Sequence, residues 1–184
     1  MHPSTTHPTL VAAKAVVTEI TGLGIAASNR DYSNRIFGEE VTEQRFRALD
    51  QGLVQANEQV DVNTYMLLDA ASIKAAAQLV AQHRAGNCQE QSALAFDKLA
   101  RLGIRPLELM NIYNQDHVLV VAGRLTGTES TFTAWNEDTV ICDAWAKRAY
   151  FVYALEDEMQ TIRSVTNGET RMTQKFKLNR NAAW

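Results

Sequence analysis

The chain has 184 residues, a net charge of −3 and a hydrophobic share of 46%. That length suits one domain that buries a core without disulfide or metal support, and the weakly negative charge argues against general nucleic-acid binding. No stretch approaches the roughly 18 consecutive apolar residues of a membrane helix, and no basic region followed by an apolar run marks a secretory signal peptide.

Residues 1–8 are small and polar with Pro3 and Pro8, and are expected to form a disordered leader. Leu10, Ala13, Val16, Val17 and Ile20 recur at helical spacing, and Gly22 and Gly24 end that helix. The polar stretch 28–40 is expected to be a loop. Thr42 is placed as the cap of a second helix carrying Phe46, Leu49, Leu53 and Val60. Asn63 is placed as the start of a third, carrying Leu68, Ala71, Ala75 and Leu79, with a break near Ser72 and a stop at Gly86.

From Cys88 the character changes. A helix over 88–102 is followed by the breakers Gly103 and Pro106. Leu107–Tyr113 reads as a strand, Asn114-Gln115-Asp116 as a turn, and His117–Gly123 as the clearest strand of the chain. Gly127 marks a turn. Thr131–Trp135, Thr139–Trp145 and Phe151–Leu155 read as further strands. A helical first half followed by mostly antiparallel strands implies an α+β fold. The organisation expected is a leader at 1–8, one catalytic domain over 9–160, and a solvated, partly mobile basic segment over 161–184. That last segment holds Arg163, Arg171, Lys175, Lys177 and Arg180 against Glu169.

The folded body contains two cysteines, Cys88 and Cys142, and two histidines, His83 and His117. So few cysteines do not make a disulfide scaffold, and both are expected as free thiols. Cys88 opens a helix, where the macrodipole favours thiolate and the first N–H groups are unpaired within the helix. Gly86 permits close approach of a substrate amide. His117 stands at the mouth of an apolar strand, and Asp143 lies in another. If those strands pair antiparallel, His117 neighbours Asp143 or Trp145 at about 5 Å. Nucleophile, base and orienting carboxylate then come from three elements. Taken singly, each has a structural reading: a core thiol, a strand-edge histidine, a turn-capping aspartate. His83, at a helix C-terminus, is the rival base, and Cys142, mid-strand and facing away from Asp143, the rival nucleophile. Zinc held by His83, Cys88, His117 and Cys142 lacks supporting ligand spacing. No cofactor is called for.

At these residues the sequence resembles a family. Ala85-Gly86-Asn87-Cys88-Gln89-Glu90-Gln91-Ser92 is similar to the nucleophile segment of papain-like and transglutaminase-like bacterial thiol enzymes. Asp116-His117-Val118-Leu119-Val120 resembles their histidine strand. Cys142-Asp143-Ala144-Trp145 resembles their D-P-W segment, with Ala144 in place of proline. The resemblance spans residues 85–146 and implies a papain-like fold with the triad Cys88, His117 and Asp143. It leaves the oxyanion-hole side chain open among Gln82, Asn87 and Gln89. The size, leader and helical half are similar to type III secreted effectors, glutamine deamidases above all. A protein substrate, and delivery to a host cytoplasm without a Sec signal, are what that similarity implies; otherwise the chain is cytoplasmic. Protease and deamidase chemistry both fit. A transglutaminase-like acyl transferase, a peptidoglycan amidase and a non-catalytic binding module on the same fold are the alternatives.

Overall fold

The computed structural model describes residues 3–29, 31–60, 63–112, 117–162 and 172–184. Among them are six α-helices and one five-stranded antiparallel sheet, so the class is α+β. Helices α1 (Pro8–Gly22), α2 (Asp31–Phe37), α3 (Glu39–Val60), α4 (Ala70–His83) and α5 (Cys88–Arg101) come first. Strands β1 (Leu107–Ile112), β2 (His117–Ala122), β3 (Val140–Asp143) and β4 (Arg148–Phe151) follow, then α6 (Leu155–Ile162) and β5 (Met172–Leu178). The strand order is β4-β3-β2-β1-β5. No helix of the described residues is long and apolar enough to cross a membrane.

Strand alternation gives the sheet two apolar faces. Leu107, Leu109, Val118, Val120, Ala122, Val140 and Cys142 share one core with α1, α4 and α5. Met110, Leu119, Val121, Ile141 and Tyr150 share another with Trp135, Leu155 and Met159. The buried stripe of α1 is the one its spacing predicts: Leu10, Ala13, Val16, Val17 and Ile20.

The structure departs from the sequence reading at several boundaries, always where a distant partner decides. The stretch 28–40 contains α2 and the start of α3. Seven residues do not sustain a helix alone; here Phe37 lies beneath Gly24 and under the Arg45 guanidinium, 4.6 Å from its ring centre. Thr42 is inside α3 and its hydroxyl donates to the Gly38 carbonyl. The third helix starts at Ala70, not Asn63. Asp69 caps it, accepting from the Ser72 N–H at 2.7 Å, so the break foreseen near Ser72 is the helix start. That helix ends at Arg84 in the left-handed conformation, two residues before Gly86. Thr131–Trp135 is a 3-10 turn over Phe132–Ala134 instead of a strand. Phe151 ends β4, and Val152–Ala154 turns directly into α6.

The two ends also differ from expectation. In the leader, the His7 N–H closes a turn on the Ser4 carbonyl, and the His7 ring meets Phe151 edge-on at 6.0 Å. The basic tail holds β5, which pairs with β1 from Leu107↔Leu178 to Ile112↔Met172. Trp184 then packs on Phe96 at 5.3 Å and donates to Asp97. The Asn114-Gln115-Asp116 turn lies outside the described residues.

Candidate active site

Cys88 is the first residue of α5. The Asn87 N–H donates to the Glu90 carboxylate at 2.9 Å, which fixes the helix start. A Cβ at Gly86 would stand 2.9 Å from that of Glu90, so the chain turns into the helix only with glycine there. Glu90 is acidic in the first turn, Lys98 and Arg101 basic in the last, matching the macrodipole. One turn after Cys88, the Ser92 hydroxyl donates to the Val118 carbonyl at 2.8 Å. This buried bond ties α5 to β2 beside His117.

The register of β2 and β3 supplies the partner. Val120 faces Cys142 and Ala122 faces Val140. Continued outward, that register sets His117 opposite Trp145, with their rings 5.3 Å apart, and Asp143 two pairs inward, on the same face of the sheet. His117 Nε2 and Asp143 Oδ2 lie 2.6 Å apart. The other carboxylate oxygen, Oδ1, accepts the Ala146 N–H at 2.9 Å, which pins the carboxylate plane. Cys88 is the second hydrogen-bonding partner of His117. Since Nε2 is turned to Asp143, Nδ1 is the nitrogen that meets the sulfur. Asp143 is 0% exposed, His117 3% and Cys88 8%, so the sulfur is recessed at the mouth of a buried relay.

Burial alone would lower the His117 pKa. Hydrogen bonds to Asp143 and Cys88, and their negative charge, outweigh it and raise the value to about 9. The imidazolium is the favoured form at neutral pH. Burial raises Glu90 as well, opposed by the Asn87 and Glu90 N–H groups that its carboxylate accepts.

The rivals fall elsewhere. Cys142 is wholly buried against Ala13 on the face opposite Asp143, and burial drives its pKa far up, so it remains a neutral thiol. His83 lines a groove between α3 and α4 together with Gln82. His83, Cys88, His117 and Cys142 are therefore not gathered around one point, and no three His, Cys, Asp or Glu side chains of the described residues form a metal cluster.

The oxyanion candidates separate in the same way. Gln82 is in the α3–α4 groove, away from Cys88. Gln89 is tied at both ends, its Nε2 to the Tyr65 carbonyl at 2.6 Å and its Oε1 to Lys175 at 2.7 Å. Asn87 is the N-cap residue immediately before Cys88, its amide held by Ser28: Oδ1 accepts the Ser28 N–H at 3.0 Å and Nδ2 donates to Ser28 Oγ at 3.0 Å.

Sequence reasoning missed Ala27, Ser28 and Asn29. This segment runs beside Cys88 because Ala26 bridges to Ala85: the Ala26 N–H donates to the Arg84 carbonyl and the Gly86 N–H to the Ala26 carbonyl. Ala27 packs against Cys88 and Trp145, and Asn29 accepts from the Trp145 indole at 3.0 Å. Nothing local in a polar stretch signals that role. Ser92 did carry a signal: four residues from Cys88, it lies on the same helix face.

No protein-family model matches this sequence, and no curated protein matches it.

Proposed function

We propose that the chain is a thiol-dependent amide hydrolase, best read as a protein glutamine deamidase, that works through Cys88, His117 and Asp143. The observation that carries this is the imidazole of His117, held between the Asp143 carboxylate and the Cys88 sulfur. A buried histidine bonded to a carboxylate is often structural; one whose second nitrogen meets a thiol at a helix N-terminus is built for nucleophilic chemistry.

The steps follow from the geometry. The sulfur attacks a carboxamide carbon and a C–S bond forms. The oxyanion is received by N–H groups of the first turn of α5, with the Asn87 amide beside them. Imidazolium His117 gives its Nδ1 proton to the leaving ammonia, and a thioester remains. Neutral His117 then takes a proton from water, hydroxide adds to the thioester, and the carboxylic acid and Cys88 are released. Asp143 orients the ring and stabilises the imidazolium without transferring a proton.

The recessed sulfur favours a deamidase over a protease. A side-chain carboxamide reaches inward at the end of a flexible stem, whereas a peptide bond carries chain on both sides. By resemblance to deamidating effectors, the chain is assigned to delivery as a bacterial effector, with a host protein as substrate. The test is ammonia release from candidate proteins, with a mass gain of about one dalton as amide becomes acid. Cleaved products would make it a protease, and crosslinks to lysine an acyl transferase. No reaction, together with a Cys88 unreactive toward thiol-directed amide analogues, would leave a non-catalytic binding module.

A further inference from the structure

We propose that the loop 63–69 between α3 and α4 is the substrate-recognition platform of this site, and that it takes an apolar side chain next to the carboxamide in the protein substrate. The proposal rests on reading Cys88 as a reactive thiol. Gln89, the residue after Cys88, binds the Tyr65 carbonyl at 2.6 Å, and Lys175 bridges Gln89 to the Met66 carbonyl. The loop is thus fastened to the tip of the nucleophile helix on one side and to β5 on the other.

It is rigid from within as well. Asn57 Oδ1 accepts the Thr64 N–H at 2.7 Å and its hydroxyl at 2.8 Å, and Asn63 Oδ1 accepts the Met66 N–H at 3.1 Å. Leu67 is wholly buried in the main core at a φ of 52°, a conformation that disfavours a bulky side chain and persists only when surroundings impose it. With Leu67 as the inward anchor, its neighbours point out: Tyr65 is 44% exposed, Met66 48% and Leu68 55%. Three large apolar side chains exposed within four residues is a density found nowhere else among the described residues, where Ile36, Leu102 and Leu125 have no such neighbours in sequence. A strained loop fastened through Gln89 one residue from Cys88, and holding apolar groups outward, matches a partner with an apolar anchor. Met66 adapts to its shape.

The experiment compares chloroacetamide with its N-phenylbutyl derivative on the full chain. Alkylation of Cys88 is followed by site-resolved mass spectrometry, and each rate is divided by that of the same reagent with glutathione. The corrected ratio is expected to favour the apolar reagent about tenfold. A Met66→Ser, Leu68→Ser variant should bring it close to one, with the rate for chloroacetamide itself and the melting temperature unchanged. Leu125→Ser, a solitary apolar group, should leave the preference intact. Normal labelling by chloroacetamide without an apolar preference, or a preference surviving in the double variant, overturns the platform alone. Failure of chloroacetamide to label Cys88 ahead of Cys142 overturns the thiol reading and the platform with it.

Discussion

Strand β2 begins at one buried acid–base pair and runs out into another. At its start His117 meets Asp143; just past its end Arg124 meets Glu108. Both pairs are enclosed, and each is drawn together from separate strands or their ends. Arg124 binds both oxygens of Glu108, donates to the Gly127 carbonyl and lies over the Trp135 ring, while Lys177 reaches Glu108 from β5 at 3.1 Å. Every polar face of that pair is closed by structure, and a guanidinium does not release its proton. His117 titrates, and its second nitrogen meets a sulfur. Burial and pairing therefore do not distinguish a site from a strut. What distinguishes them is a group that moves a proton and a nucleophile placed to use it.

The strongest way to break that contrast is to remove each pair in turn. Cys88→Ala and His117→Ala should abolish turnover, and the double variant should be hardly worse than either, because the two act as one unit. Alkylation of Cys88 by iodoacetamide at neutral pH should fall about a hundredfold in His117→Ala. Glu108→Ala should leave that rate unchanged. It should instead lower stability by about 3–5 kcal/mol by stranding Arg124, seen as a melting temperature lower by roughly 10 °C. A Glu108→Ala variant that melts normally but loses Cys88 reactivity would reverse the assignment of the two pairs.

Asp143→Ala belongs between these extremes. It removes the orienter but not the base, so residual activity should be measurable, with some loss of stability because His117 loses its buried partner. Kinetics and thermal melting on the same preparation check both. A wild-type rate in Asp143→Ala would mean another group orients the ring; Asn136 and Asp138 of the preceding loop are not that group, because they are held at the far end of β2, by Gly123 and Leu125 and beside His7.

The pH dependence sharpens the comparison further. His117 titrates near 9 when folded and near 6.5 when unfolded. Its stabilising contribution, on the order of 3 kcal/mol, is therefore complete below about 6.5, fades between the two values and is gone above about 9. The melting temperatures of wild type and His117→Gln should converge as pH rises through that window, while the Glu108→Ala difference stays constant across it. Convergence on the acid side instead would contradict the raised value.

The smallest effect expected is that of Ser28→Ala. It frees the Asn87 amide without touching Cys88, His117 or Asp143. Turnover should drop several-fold with little change in iodoacetamide labelling, as expected for a residue that positions an oxyanion donor. Equal losses in both measurements would place Ser28 in the structural support of α5 instead.

Much of this molecule was legible in one dimension. The stripe of α1, the helix opened by Cys88 and the β-branched run of β2 are local patterns, because burial of one face imposes a period on the chain. Cys88, His117 and Asp143 stood out for a related reason: polar groups at the ends of apolar elements are costly unless partnered. Tertiary structure decided the rest. Residues 172–178 read as a solvated tail until β1 supplies an edge to pair with. The short helix α2 exists because Phe37 finds Gly24 and Arg45. The partners of the three candidate amides, Ser28 for Asn87 and Tyr65 and Lys175 for Gln89, with Gln82 set in the α3–α4 groove, became known only from the fold. Asn29 reaches the site from 116 residues away along the chain, at Trp145. A sequence records which faces must be buried and which groups need partners; which partner meets which is set by closing long loops, and no local pattern encodes that.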